Sequence, residues 1–230
     1  GEAHAQVVVT PARLTTSDVV SRRRGVGVHA QLYSVRSERS WGLGDIADLR
    51  DVSAILGARY NADFVQINPL HATAPAPPVE ASPYLPSSRR FFAALYVRVE
   101  DIPEFAQAPE YVRQRVRELH QQFASVNRLN TLLDRNRVLT AKLEALELLF
   151  AVPRTPARKA LFDAYRRAEG PGLSEFARWC AEEAGRRQPG DAVMADPEFH
   201  AWVQWIIDEQ LMHAQSAATA AGMRLSLIHI

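Results

Sequence analysis

Residues 26–68 confine this chain to a narrow set of folds. Val26–Val35 (VGVHAQLYSV) carries the β-branched and aromatic residues of a strand. A Gly-rich loop follows, and then Asp45, whose short carboxylate suits a helix N-terminus. Ile46, Leu49, Val52, Ile55 and Leu56 recur at the spacing of one helical face. Gly57 is expected to close that helix as its C-cap. Phe64–Asn68 (FVQIN) reads as a second, buried strand. Strand, helix and strand with such short connections make a βαβ unit, and its strands run parallel.

The rest of the chain extends this unit. Gln6–Thr10 (QVVVT) is a β-branched run stopped by Pro11, read as the last strand of something upstream, and residues 11–24 are an Arg-rich linker. Pro69–Arg90 is a long proline-rich loop, and Ala94–Val99 is a short strand. A helical region follows, with stripes at Val112, Val116, Leu119, Phe123 and Val126 and at Leu139, Leu143, Leu146 and Phe150. Pro153, Pro156, Pro171 and Gly172 divide it into separate helices. Asp196 and Pro197 open a further helix as N-cap and first residue, with Phe199, Trp202, Trp205, Ile206 and Leu211 on its buried face. Gly222 ends it, and Met223–Ile230 begins a strand. This order matches the start of a (β/α) barrel with an excursion after an early strand. A doubly wound sheet is the alternative, because strand order is not legible.

Composition narrows the function. Hydrophobic residues make up 47% and charged residues 23%, which excludes general disorder. A net charge of +1 implies no polyanion partner, so no nucleic acid is expected. The basic clusters at Arg22–Arg24 and Arg113–Arg117 lack interleaved aromatics and read as solvated faces. No apolar run is long enough to span a membrane. The single cysteine, Cys180, lies in a helical pattern and reads as core; it fits a reducing cytoplasm.

Several chemistries lack their residues. Gly25-Val-Gly27 and Gly42-Leu-Gly44 miss the third glycine of a dinucleotide site, and no phosphate-loop lysine is present. The histidines show no zinc spacing, so no metal is expected, and His29 reads as a core histidine. What remains gathers around strand ends: Gln31 and Tyr33, Trp41, Asn68 and His71, then Ser82 and Tyr84. In a parallel barrel these lie at the C-terminal face, where active sites form. Planar aromatics beside amides and hydroxyls suit a sugar, whose C–H face stacks and whose hydroxyls take directional bonds. The alternative is that Trp41 and Tyr84 are loop-anchoring packing residues.

Longer stretches carry a resemblance. "QLYSVRSERSWGLGDIADL", "ADFVQINPLHA", "SPYLPSSRRFF" and "LYVRVEDIPE" resemble the 4-α-glucanotransferases of glycoside hydrolase family 77. "LLDRNRVLTAKLEALELLF" and "FHAWVQWIIDEQL" are similar to helices of that family, and "GEAHAQVVVTPARL" to the end of an N-terminal β-domain found in some members. The resemblance implies an α/β fold: a partial (β/α)8 barrel, early strands only, with a helical insertion and the tail of that β-domain before it. Its expected divisions are 1–24 (β-domain end and linker), 25–110 (first barrel strands), 111–195 (insertion) and 196–230 (barrel helix and next strand). It implies transfer of α-1,4-glucan segments to an acceptor 4-hydroxyl by a retaining mechanism with two carboxyls and no cofactor. The partners implied are α-1,4-glucans and maltooligosaccharides, with no protein partner. Another α-glucan hydrolase or transferase of the same clan is the rival enzyme, and a non-catalytic glucan-binding module the rival outside enzymes.

Residue by residue, the family's Ser-Pro-Tyr loop corresponds to Ser82, Pro83 and Tyr84, which implies glucose binding by Ser82 and Tyr84. Asn68-Pro69-Leu70 corresponds to a strand-end motif and Trp41 to the first loop, so Trp41 and Asn68 join Ser82 and Tyr84 as expected substrate-binding residues, with Asn68 shaping the site more than touching sugar. Ala93-Ala94 departs from the family, which usually has Asn before this Leu-Tyr. The nucleophile Asp, the acid/base Glu and the third Asp belong to later strands, so no catalytic residue is expected here. Glu100, Asp101 and Glu104 match no catalytic motif. "LSLIHI" (Leu225–Ile230) is the translation of CTG-TCT-CTT-ATA-CAC-ATC, similar to a transposase adapter end, and is expected to be read-through rather than native sequence.

Overall fold

The molecule is organised around the start of one helix. In this computed structural model, which describes residues 9, 12–13, 24–129 and 132–227, helix α1 spans Ile46–Tyr60. Asp45 caps it: its carboxylate accepts the Ala47 and Asp48 amides, and Asp48 accepts the Asp45 amide in return. The helix runs past Gly57 and closes at Asn61, in the left-handed region at φ 49°. Gly57 is therefore not the C-cap. A Cβ there would meet the Ala221 carbonyl and Met223, so its role is close helix approach.

Helix α1 links two parallel strands, β1 (Gly27–Ala30) and β2 (Phe64–Ile67), in register Gly27↔Phe64 to Ala30↔Ile67. Strand β5 (Arg224–Leu227) pairs parallel with the other side of β2, giving the order β1-β2-β5. That pairing includes Leu225–Leu227, residues expected to be adapter sequence. Val65 and Ile67 are buried beneath the helices, while Phe64 lies on the opposite, open face. His29 is exposed there, its Nδ1 3.4 Å from Gln66 Oε1, and is not a core histidine. The Gln6–Thr10 run, the 11–24 linker and residues 228–230 lie largely or wholly outside the described residues.

Two expected elements differ. The first strand is shorter than Val26–Val35: a 3-10 turn takes Leu32–Ser34, because the Asn68 side chain captures the Leu32 amide. The Pro69–Arg90 loop contains strand β3 (His71–Ala72) and the start of β4 (Ser88–Phe92), an antiparallel pair. Ala94–Val99 is not a strand, since 3-10 turns form at Ala94–Tyr96 and Val99–Asp101. Here side chains take the place of ladder bonds. Lys142 donates to the Leu95 and Val97 carbonyls, and Gln210 bonds both the amide and the carbonyl of Arg98.

The helices follow: α2 (Pro103–Gln107), α3 (Glu110–Gln121), α4 (Arg135–Phe150), α5 (Pro156–Glu169), α6 (Pro171–Arg187) and α7 (Pro197–Ala220). Proline occupies the first turn of α5, α6 and α7, where its missing N–H costs nothing. Asp196 caps α7 as the sequence predicts. Helix α7 is the spine, packing on α1, α4, α5 and α6 with Phe199, Trp202, Ile206 and Ile207 fully or almost fully buried. The Arg113–Arg117 face is solvated, its charges paired to Glu110 and Glu144.

Beneath α1 lies a set of charges in the dry interior. Arg98, 2% exposed, donates to Asp45 at 2.6 and 2.9 Å and reaches Asp48 at 3.1 Å. Lys142, 0% exposed, stands 3.9 Å from Asp45. Burial pushes the Asp45 carboxyl up, with Lys142 and Arg98 pulling against it. Burial also pushes the Lys142 ammonium down to about 8, opposed by Asp45. Removing one member strands its partners. Arg98→Met in the full-length protein is expected to cost about 3–5 kcal/mol of stability, read as a lowered urea midpoint with an unchanged slope.

Candidate functional site

The candidate residues occupy loops that leave the C-terminal ends of β1 and β2, and their surroundings divide them. Trp41 sits in the first loop with 0% of its surface exposed. Its indole lies parallel to the His120 ring at 5.4 Å and packs on Phe123 at 6.2 Å. Its Nε1–H donates to Glu100 at 3.0 and 3.2 Å, and His120 Nδ1 is 2.8 Å from the same carboxylate. Burial works against the Glu100 charge, but the His120 and Trp41 contacts outweigh it and hold the carboxyl below its ordinary range. Trp41 therefore offers no face to a ligand here. Its size and its single donor are consumed in fixing the loop to α3, which is the packing alternative the sequence allowed.

The Gly42-Leu-Gly44 pair serves the same loop. Gly42 adopts φ 74°, and a Cβ on Gly44 would collide with the Leu32 and Val35 carbonyls. Asn127 completes it, accepting from the Gly42 amide at 2.9 Å and donating to the Ser40 carbonyl at 2.5 Å.

Asn68 is also wholly buried. Its Oδ1 accepts the Leu32 amide at 2.7 Å, and its Nδ2 donates to the Pro69 carbonyl at 2.8 Å and to the Tyr96 hydroxyl at 3.2 Å. It joins the ends of β1 and β2 and shapes the loops without reaching solvent. Burial pushes the Tyr96 phenol up to about 12, so it remains a neutral partner. Nearby, Tyr33 carries the Arg135 guanidinium 4.9 Å from its ring centre, and Gln31 Oε1 is buried without a hydrogen-bond partner among the described residues. His71 is buried in β3.

Ser82 and Tyr84 behave differently. They lie on the loop between β3 and β4, with Tyr84 41% exposed and Leu85 beside it 65% exposed. Ser82 Oγ accepts the Tyr84 amide at 3.3 Å, and Glu80 accepts the Ser82 amide at 3.2 Å. These bonds shape the tip and leave the phenol ring open to a flat apolar surface. At the loop base, the Ala93 amide donates to the Leu70 carbonyl, so the backbone closes this turn where the Ala93-Ala94 departure lies.

The three carboxylates left aside by the sequence have structural partners. Glu100 holds Trp41 and His120, Asp101 pairs with Arg50, and Glu104 pairs with Arg158. Arg158 also pairs with Glu209 and stacks 3.9 Å above Trp205. Cys180 is buried, and burial pushes its thiol up, away from a reactive thiolate. His200 lines a small cavity together with Cys180, but its Nε2 is engaged by the Met194 carbonyl. A cleft of about 550 Å³, lined by Arg154, Lys159, Asp163 and Arg166 among others, lies among the helices and not beside Tyr84.

Sequence reasoning missed Arg98, Lys142 and Arg135. Lys142 carried a faint signal, being a lysine amid the apolar stripe of α4.

A family model described as 4-alpha-glucanotransferase matches residues 30–192. A curated 4-alpha-glucanotransferase of Mycobacterium tuberculosis is 43% identical over 253 residues, covering 99% of this chain and 34% of that protein. Its counterpart in Haemophilus influenzae is 32% identical over 256 residues, covering 96% and 36%. The chain thus spans about a third of the length of these relatives. Among solved structures, an amylomaltase from Corynebacterium glutamicum superposes with TM-score 0.88 at 42% identity, covering 96% of this chain and 32% of that one. An amylomaltase from Streptococcus agalactiae, in complex with acarbose, superposes with TM-score 0.64 at 14% identity, covering 89% and 43%, which supports the fold alone.

The packing role of Trp41 has a direct test. Trp41→Ala in the full-length protein is expected to lose about 3–5 kcal/mol of stability by opening a cavity. Trp41→Phe is expected to keep part of the packing and to lose the Glu100 bonds. Chemical denaturation of both variants separates the two contributions.

Proposed function

We propose that this chain, which belongs to the 4-α-glucanotransferase family (glycoside hydrolase family 77), forms part of the donor-sugar site of an enzyme that transfers α-1,4-glucan segments to the 4-hydroxyl of an acceptor glucose or glucan. The observation that carries this reading is the contrast among the loop aromatics. Trp41 is wholly buried, whereas Tyr84 stands exposed beside Ser82 on the loop after β2. The parallel order β1-β2-β5, with α1 between the first pair and α7 before β5, supports the early strands of a (β/α)8 barrel. On this reading residues 25–110 and 196–227 belong to the barrel and residues 111–195 to a helical insertion. A preceding β-domain belongs to the same proposal.

The chemistry proposed is retaining. One carboxylate attacks the anomeric carbon while a second carboxyl protonates the leaving oxygen; the acceptor hydroxyl, losing its proton to that second group, then attacks the same carbon and releases the first carboxylate. The resemblance assigns both carboxyls to later barrel strands. The carboxylates that the motifs of this chain bring near the loops are occupied as Glu100, Asp101 and Glu104 are, in pairs with nearby cations and donors. What these residues supply is binding and water exclusion: Tyr84 stacks on a glucose ring, and the Ser82 hydroxyl bonds a sugar hydroxyl. Excluding water from the glucosyl intermediate favours transfer over hydrolysis.

Two measurements test this. The full-length enzyme on maltotriose is expected to give glucose together with longer oligomers. Only smaller sugars would mean a hydrolase, and no turnover with retained glucan binding would mean a binding module. The isolated 230-residue chain is expected to release no glucose above a buffer control, because it holds neither proposed catalytic carboxyl.

Tyr84 supplies the residue-level test. Tyr84→Ala removes stacking of about 1 kcal/mol and a hydrogen bond of about 1 kcal/mol, so kcat/KM is expected to fall roughly 10–100-fold with the fold intact. Tyr84→Phe is expected to lose less. Unchanged kcat/KM in well-folded Tyr84→Ala would remove this residue from the site.

A further inference from the structure

The loop that bears Ser82 and Tyr84 is held from outside the sheet. Its two arms are tied by β3 and β4, where the Ser87 amide donates to the Ala72 carbonyl at 2.8 Å. The stretch leading to its tip is tied to two helices instead. Arg187, the last residue of α6, donates through Nη1 to the Ala76 carbonyl at 3.2 Å and to the Pro78 carbonyl at 2.7 Å. Asn136, in the first turn of α4, accepts the Val79 amide at 2.8 Å. Three polar groups of this stretch, two carbonyls and one amide, are thus satisfied by side chains from the helices.

Arg187 is itself aimed. Its Nε donates to Glu183 Oε1 at 2.6 Å, one helical turn earlier, which fixes the guanidinium with Nη1 toward the loop. The Arg187 side chain is 29% exposed, so it is neither a core residue nor a free surface charge. Val79 is followed by Glu80, whose carboxylate accepts the Ser82 amide, and Ser82 in turn accepts the Tyr84 amide. A short relay of bonds therefore runs from Glu183 through Arg187 to the backbone just before the exposed tip.

We infer that Arg187 and Asn136 are positioning residues that set the Ser82–Tyr84 tip at the angle needed to meet a sugar ring, so that the helices of residues 135–187 tune glucan binding without touching glucan. This rests on the proposed role of Tyr84. Misplacing a binding group by about 1 Å costs up to about 100-fold in rate, so loosening the clamp has a kinetic signature. A purely structural role would appear in stability and leave turnover per folded molecule unchanged.

The test uses the full-length enzyme. Arg187→Met removes both carbonyl bonds, and Arg187→Lys retains a cation without the planar fork. Hydrogen–deuterium exchange of the peptide covering residues 76–86 is expected to rise in Arg187→Met and to be partly restored in Arg187→Lys. The kcat/KM on maltotriose is expected to fall on the order of tenfold, and the same substitution in a Tyr84→Ala background to change it by less than about twofold. Unchanged exchange overturns the clamp, and so does an equal loss in both backgrounds. The exchange measurement requires no activity, so an enzyme that fails to transfer glucan defeats the functional reading while the clamp is judged on exchange alone. Asn136→Ala removes the third bond from a different helix. It is expected to raise exchange in the same peptide, and it carries the test should Arg187→Met fail to fold.

Discussion

The fold depends on a cluster of charges that water cannot reach. Asp45 begins as an ordinary N-cap, satisfying amides at the start of α1. The same carboxylate then receives Arg98 from the segment after β4 and lies near Lys142 from α4. Such a set is costly to desolvate and holds only when every member is bonded. Here Arg98 is closed by Gln210 along its backbone, and Lys142 by two carbonyls. Four parts of the chain therefore have to arrive together. The specificity this confers exceeds what the area of apolar contact alone would give, because no shifted packing of α4 or α7 keeps all these bonds.

Aromatic residues of similar chemistry meet different fates in the loops of this fold. Trp41 is enclosed by His120, Phe123 and Glu100, and its indole N–H is already used. Tyr84 lies on the loop that joins the antiparallel pair β3–β4 and is 41% exposed. An aromatic ring on a loop is thus a binding group only where its neighbours leave it a free face. The protein uses one ring to hold a loop in place and leaves the other partly exposed, as the proposed stacking role of Tyr84 requires.

The helices of residues 135–187 hold the loop that carries Tyr84. Helix α4 supplies Lys142 to the charge cluster and Asn136 to the loop, so one rigid element spans both. Helix α6 adds Arg187. Secondary elements hold a loop more accurately than loop contacts do, because each of their residues is fixed by its neighbours. The relatives are about three times as long as this chain. The open face bearing Phe64 and His29 and the single-sided pairing of β1 and β5 among the described residues fit a sheet that continues in such a protein.

The sequence by itself determined the elements whose cause is local. The Asp45 cap, the α1 stripe, the Asp196-Pro197 start of α7 and the parallel βαβ unit all follow from neighbouring residues, and the family motifs follow from residue order. Gly57 misled because a glycine in a helix reads the same whether it ends the helix or admits a neighbour, and the neighbour, Ala221, is distant in sequence. Ala94–Val99 misled because its pattern suits a strand, while the groups that bond its backbone, Lys142 and Gln210, come from helices far along the chain. Likewise Asn68 and Trp41 look like surface-site residues until their partners are known. Burial and hydrogen bonding are properties of pairs. Where the two members are adjacent the sequence reveals them, and where they are separated by scores of residues only the tertiary structure brings them together.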